Sequence, residues 1–157
     1  MKLWVTDLDN TLGSTGILKG DENRIGELSL FPDVLNVFKV LIAQGIPIVV
    51  LTKGDFVYQR SKIHQLGLTE VIDNIYVAEN DEGKSSLFQK ILDEHDIPVE
   101  EVVMIGDGRD SEVAIGKKFG AQTIWFKYGK YNKDSEAPEG VRVVENYKEI
   151  LEMLSEL

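Results

Sequence analysis

Apolar runs alternate with amphipathic stretches along most of the chain. Leu3–Thr6, Ile46–Thr52, Asn74–Val77, Val102–Ile105 and Thr123–Phe126 are short and largely apolar, the pattern of buried strands. Pro47 is compatible with this because it sits at the start of its strand. Between the runs, Pro32–Gln44, Asp55–Leu66, Gly83–His95 and Asp110–Phe119 predict helices. Asp55 is placed to cap the second helix, and Pro32 suits a first helical turn. Gly45, Gly67 and Gly120 each fall where a helix would stop. Val141–Val144 predicts a last strand and Asn146–Glu156 a closing helix, with Asn146 as its cap. This alternation predicts an α/β fold, a three-layer doubly wound parallel sheet with helices on both faces. No repeat, low-complexity segment or linker interrupts it, so residues 1–157 are expected to form a single domain.

Ligands of such sheets bind at the carboxyl ends of the strands. Asp7 and Asp9 follow the first strand, and Thr52, Lys53 and Gly54 the second. The third runs into an acidic loop, Ala78–Gly83, that ends at Lys84. The fourth is followed by Gly106, Asp107, Gly108, Arg109 and Asp110. Acids, a threonine and lysines thus converge on one edge, the composition of a cation site beside a phosphate site. If extended geometry persists past Thr6, Asp7 and Asp9 point to the same side. Two close carboxylates repel, and need a cation or a shared proton. The plainer alternatives are acids that start a turn, a strand-end threonine and a solvated lysine.

Composition narrows the chemistry. Lys plus Arg is 17 and Asp plus Glu 27, a net charge of −10. This balance disfavours nucleic acid and anionic membrane as partners. With no cysteine, thiolate catalysis, disulfides and cysteine-held zinc are excluded. His64 and His95 fall in predicted helices and read as surface or packing residues; Trp4 and Trp125 read as core. The chain opens directly on a strand pattern, and no apolar run reaches the roughly 20 residues of a membrane helix, so a cytoplasmic location is expected.

Four segments carry a family resemblance. Asp7-Leu-Asp9-Asn-Thr11, Ile48-Val-Val-Leu-Thr52, Lys84 near a helix start, and Ile105-Gly106-Asp107 with an acid shortly after resemble the four motifs of the haloacid dehalogenase (HAD) superfamily in order and spacing. Most members of that superfamily are Mg²⁺-dependent phosphohydrolases with a Rossmann-like core. The resemblance implies Asp7 as the nucleophile that forms an aspartyl-phosphate, and Asp9 as general acid and then base. It implies Thr52, Lys53 and Lys84 as phosphate-binding residues. Mg²⁺ would be held by Asp7, the backbone carbonyl of Asp9, Asp107 and a second acid of the fourth motif. The family places that second acid four or five residues after the first. Position 111 is Ser111 and position 112 is Glu112, whereas Asp110 lies three on and is also placed to cap a helix. Glu112 is the closer positional match; Asp110 remains the alternative.

Members of the superfamily commonly select substrates with an inserted cap. Here residues 12–31, punctuated by Gly13, Gly16, Gly20 and Gly26, suffice for a flap but not a folded cap. Nor is there room between Val77 and Lys84. The site is therefore expected to be open, to accept a bulky phosphorylated substrate or to be covered by a second subunit of a homo-oligomer. Tyr128, Lys130 and Tyr131 are candidates for its border. Two other readings keep the fold: a non-catalytic phosphate- or partner-binding module, and a HAD hydrolase acting on something other than phosphate. Dehalogenation is disfavoured by Asp9, because a departing halide needs no acid. A receiver-type phospho-acceptor is disfavoured because its acceptor Asp would follow the third strand.

Overall fold

Leu3, Trp4, Val5 and Thr6 are all fully buried, as befits a strand covered on both faces. In the computed structural model, which describes residues 1–14, 28–128 and 135–157, they form β1, the centre of a parallel sheet. The next two strands, β2 (Gly13–Ser14) and β3 (Ser29–Leu30), pair with each other antiparallel, outside that sheet. They are the described ends of the expected flap, most of which lies outside the described residues, as do Lys130 and Tyr131. The chain continues through α1 (Val34–Ala43), β4 (Ile48–Lys53), α2 (Phe56–Gln65), β5 (Asn74–Ala78) and α3 (Asp81–His95). It ends with β6 (Val102–Gly106), a π-helical turn over Arg109–Val113, α4 (Ala114–Phe119), β7 (Gln122–Phe126), β8 (Arg142–Val144) and α5 (Tyr147–Met153).

The six-stranded sheet has the order β5-β4-β1-β6-β7-β8, with every neighbouring pair parallel. Strand polarity alternates its buried side chains between two cores. Trp4, Ile48, Val50, Val103 and Ile105 join Val37, Phe38 and Leu41 of α1, Ile63 of α2 and Ile150 of α5 on one face. Leu3, Val5, Val49, Leu51 and Met104 join Phe88 and Ile91 of α3 and Ile115 of α4 on the other. The chain winds outward from β1 through β4 and β5, then crosses back to β6 on the other side of β1. The β1/β6 boundary is therefore the topological switch point, the crevice where sheets of this kind bind ligands.

Caps follow the sequence in two helices. Asp55 accepts the Tyr58 N–H at 2.9 Å, and Asn146 accepts the Glu149 N–H at 3.1 Å. Three boundaries differ from expectation. Pro32 lies ahead of α1, which is entered through Asp33 with a left-handed φ of 67°. Helix α3 starts at Asp81, because Asn80 caps it by accepting the Gly83 N–H at 2.7 Å; Asp81 and Glu82, expected in a loop, form its first turn. The helix expected over Asp110–Phe119 divides into a π turn and the short α4, and Asp110 caps neither.

Helix α4 lies close against β7 at Gly116. A Cβ there would sit 2.2 Å from the Thr123 hydroxyl, which is buried. Gly116→Ala is expected to destabilise the fold by about 1–3 kcal/mol through overpacking. Chemical denaturation checks this, and an unchanged midpoint would contradict so tight a contact.

Candidate active site

The carboxyl ends of β1, β4 and β6 and the start of α3 border one cleft of about 610 Å³. Asp7, Asp9, Thr52, Lys53, Lys84, Asp107, Asp110 and Glu112 all line it. The residues expected to carry chemistry are therefore brought together, but with unequal roles in the geometry.

At the centre stand Asp7, Asp107 and Glu112. Each contributes a carboxylate oxygen, and these oxygens lie within 4.8 Å of one another. Asp7 and Glu112 are buried, and Lys84, itself 2% exposed, bonds both of them: its Nζ donates to Asp7 Oδ1 at 3.1 Å and to Glu112 Oε1. Burial, with Glu112 and Asp107 close by, pushes the Asp7 carboxyl well above its usual range, against the pull of Lys84. Burial and Glu112 likewise push Asp107 up to about 6. Burial alone would lower Lys84, but Asp7 and Glu112 outweigh it and raise it above the usual lysine value.

Glu112 reaches this position because the turn carrying it is π-helical and the backbone beneath it is glycine. A Cβ on Gly106 would meet the Glu112 Cγ at 2.3 Å, and one on Gly108 would meet its Oε2 at 2.6 Å. The Gly108 N–H instead donates to that Oε2 at 2.9 Å, and the Ser111 hydroxyl to Oε1 at 2.8 Å. Asp110 points outward with its side chain 94% exposed, 3.6 Å from Arg109. Of the two candidate acids, it is Glu112 that lies beside Asp7 and Asp107. Thr11 ties the first and last loops together: its hydroxyl accepts the Asp107 N–H at 3.0 Å and faces the carboxylates of Asp7 and Asp107 at 3.4 and 3.3 Å. Behind Asp107, the indole N–H of Trp125 donates to its carbonyl at 3.0 Å.

Asp9 departs from expectation. The chain turns after Leu8, with the Thr11 and Leu12 amides both directed at the Leu8 carbonyl and Asn10 at a φ of 58°. Extended geometry therefore does not persist, and the carboxylates of Asp7 and Asp9 pair with different lysines, Lys84 and Lys62. Asp9 turns toward α2, where Lys62 Nζ donates to Oδ1 at 2.6 Å and the Gln59 amide to Oδ2 at 2.9 Å. Sequence reasoning missed both partners. The available signal was their spacing of three on a helix beginning just after Thr52, which puts them on one face.

The phosphate-side residues are also distinct from one another. Thr52 is buried and its hydroxyl accepts from Gln59 Nε2 at 2.9 Å. Lys53 is half exposed and pairs with Asp81 at 3.1 Å across the cleft mouth. The Gly54 N–H donates to the Ala78 carbonyl at 2.9 Å. His64 and His95 lie apart from the cleft; Trp4 and Trp125 are buried, as expected. Among the described residues no helix is long and apolar enough to cross a membrane.

The profile of the haloacid dehalogenase-like hydrolases matches residues 5–120. The chain belongs to this family. Its relatives include a glyceraldehyde 3-phosphate phosphatase of Pyrococcus furiosus, 27% identical over 121 residues, covering 75% of this chain and 50% of that protein. A ribulose-1,5-bisphosphate 5-phosphatase of Halopiger xanaduensis is 26% identical over 134 residues, covering 83% and 56%. The chain thus spans about half the length of these relatives. The fold matches the crystal structure of a D,D-heptose 1,7-bisphosphate phosphatase from B. bronchiseptica, solved with magnesium and phosphate, at a TM-score of 0.76 and 20% identity over 99% of both chains.

In this HAD-family cleft the donor set of Asp7, Asp107 and Glu112 is all carboxylate oxygen, which suits a hard divalent cation. Such a cation favours the ionised acids. Without it, Asp107 keeps its proton up to about pH 6 in the folded state, against 3.8 when unperturbed. Across that window the folded state binds more protons than the unfolded one, so the stability of the metal-free protein is expected to fall as pH rises from about 4 to about 6. The raised Asp7 acts in the same direction. Added divalent cation should raise the melting temperature more at pH 7.5 than at pH 5. Melting curves with EDTA and with metal check both signs, and a larger effect at pH 5 would contradict the assignment.

Proposed function

We propose that this chain is a Mg²⁺-dependent phosphatase that cleaves phosphate monoesters through an aspartyl-phosphate on Asp7. The observation that carries the reading is the buried Asp7 carboxylate, held beside Lys84, Asp107 and Glu112 at the switch point of the sheet. The phosphatase names of the relatives support the same class, and point to small phosphorylated sugars or trioses as the substrates to try first. The reading takes residues 1–157 as one cytoplasmic catalytic domain without a folded cap, its cleft open to substrate or covered by a second copy of the chain.

Asp7 attacks phosphorus; an Oδ–P bond forms and the ester P–O bond breaks. Asp9 gives its proton to the departing alkoxide, then takes one from the water that hydrolyses the aspartyl-phosphate, regenerating free Asp7 and inorganic phosphate. Thr52 donates its hydroxyl to a phosphoryl oxygen, while Lys84 and Lys53 place positive charge against the others. Asp7, Asp107, Glu112 and the main-chain carbonyl of Asp9 would hold Mg²⁺. When bound, the ion offsets the repulsion between nucleophile and phosphate and neutralises charge as the bond breaks.

The deciding experiment is hydrolysis of an activated aryl phosphate with Mg²⁺ and with EDTA, comparing wild type with Asp7→Asn. Release that needs metal and vanishes in a folded Asp7→Asn protein is the expected result. Substantial turnover by the variant would remove Asp7 as nucleophile. A folded wild type inactive on aryl and sugar phosphates alike would favour the binding-module reading.

Glu112→Ala and Asp110→Ala separate the two candidate acids. Glu112→Ala is expected to weaken Mg²⁺ binding by about 10- to 100-fold, the usual effect of losing a ligand or its orienting partner, and Asp110→Ala by less than about 2-fold. Calorimetric titration reads this without relying on turnover, and the reverse ranking would transfer the role to Asp110.

A further inference from the structure

Asp9 is the acid of this cleft whose surroundings the family motifs do not account for. Both of its oxygens are held from the same side by one face of α2. Lys62 holds Oδ1 at 2.6 Å and the Gln59 amide holds Oδ2 at 2.9 Å. These are not surface contacts: the side chain of Lys62 is 8% exposed and Gln59 is buried. The Lys62 ammonium is itself flanked, 4.6 Å from the centre of the Tyr58 ring. Tyr58 is in turn fixed at the helix start, where its N–H meets the Asp55 cap.

Gln59 does more than bond Asp9. The same Nε2 lies 2.9 Å from the Thr52 hydroxyl and 2.9 Å from the Lys53 carbonyl. Its own carbonyl oxygen, Oε1, is buried with no hydrogen-bond partner among the described residues. A buried acceptor left unsatisfied is costly and calls for a reason. Here the amide keeps its nitrogen on three acceptors of two catalytic loops at the expense of its oxygen. That arrangement fixes the spacing between Asp9, at the end of β1, and Thr52, at the end of β4.

We infer that Lys62 and Gln59 are positioning residues for the acid/base step: a clamp on α2 that locks the Asp9 carboxylate in one orientation and in register with Thr52. Neither residue touches the transferred phosphoryl group. They act through Asp9, so their effect should scale with how much the leaving group needs a proton. The inference rests on the phosphatase reading and on Asp9 as general acid.

The test is steady-state turnover of 4-nitrophenyl phosphate, whose leaving group needs little protonation, beside an alkyl ester such as glycerol phosphate. Wild type, Lys62→Met, Lys62→Arg and Gln59→Leu are compared, with circular dichroism and melting curves to establish folding. Lys62→Met should lower kcat on the alkyl ester about 10-fold or more and on the aryl ester only about 3-fold, with KM moving less than about 2-fold. Lys62→Arg, which retains the charge, should recover most of the alkyl-ester loss. Gln59→Leu should show the same split between esters, and it carries the test alone if Lys62→Met does not fold. Equal losses on the two esters, or no loss, in a folded variant would overturn the clamp while leaving the phosphatase reading intact. A wild type with no metal-dependent hydrolysis of either ester would overturn both.

Discussion

Three carboxylates gathered in the interior around one lysine set the terms for everything near the cleft. Carboxylate oxygens of Asp7, Asp107 and Glu112 lie within 4.8 Å of one another, and among the described residues Lys84 is the cation that bridges Asp7 and Glu112. Taking an ion out of water costs several kcal/mol even after relaxation. Lys84 neutralises one of the two acids it touches. Hydrogen bonds from Gly108, Ser111 and Thr11 help to hold the remainder, and burial beside the other acids pushes the Asp7 and Asp107 carboxyls upward. Such a cluster persists only where the surrounding structure holds it. The six parallel strands do so, because the loops carrying the acids leave adjacent strands that are buried on both faces.

The first loop shows how environment divides labour between similar groups. Asp7 and Asp9 are the same residue type, separated by a single residue, yet they belong to different networks. Asp7 points inward to Lys84 and the acids of the last loop. Asp9 points toward α2, to Lys62 and Gln59. On the function proposed above, a nucleophile that meets phosphorus and an acid/base that meets the leaving group need different positions around one phosphoryl group. The turn at Leu8–Asn10 supplies that separation. Two carboxylates given two roles by their surroundings is a recurrent device of hydrolytic sites.

How much of this was legible in the sequence follows from which interactions are local. The central strands could be read because both of their faces are buried, so apolar runs such as Leu3–Val5 and Val102–Ile105 stand out. The convergence of Asp7, Thr52, Lys84 and Asp107 followed from topology alone. Asp55 and Asn146 were readable as caps because the bond each makes lies within three residues. What escaped depends on contacts distant in sequence or on backbone detail. The direction of Asp9 is set by a turn that alternation along a strand cannot anticipate, and by partners some 50 residues away. Glu112 itself was the closer positional match, but the π turn seated on Gly106 and Gly108 that places it was not readable from spacing.

Charge explains what the cleft attracts, but neutral hydrogen bonds explain why its parts stay in register. Thr11 is the clearest case. Its hydroxyl accepts the Asp107 N–H, so the first and last loops move as one unit. Its carbonyl accepts the Tyr147 hydroxyl at 2.8 Å, and the Tyr147 ring packs 5.2 Å from that of Phe126. A residue on the final helix therefore braces the loop that follows the first strand. Coulombic attraction falls off slowly and tolerates displacement, whereas a buried hydrogen bond weakens steeply with distance and angle. A cleft that holds several polar side chains in fixed relation takes its precision from the second kind of contact. Here Thr11 and Gln59 supply it between elements far apart in the chain, and the Gly108 amide supplies it within its own loop.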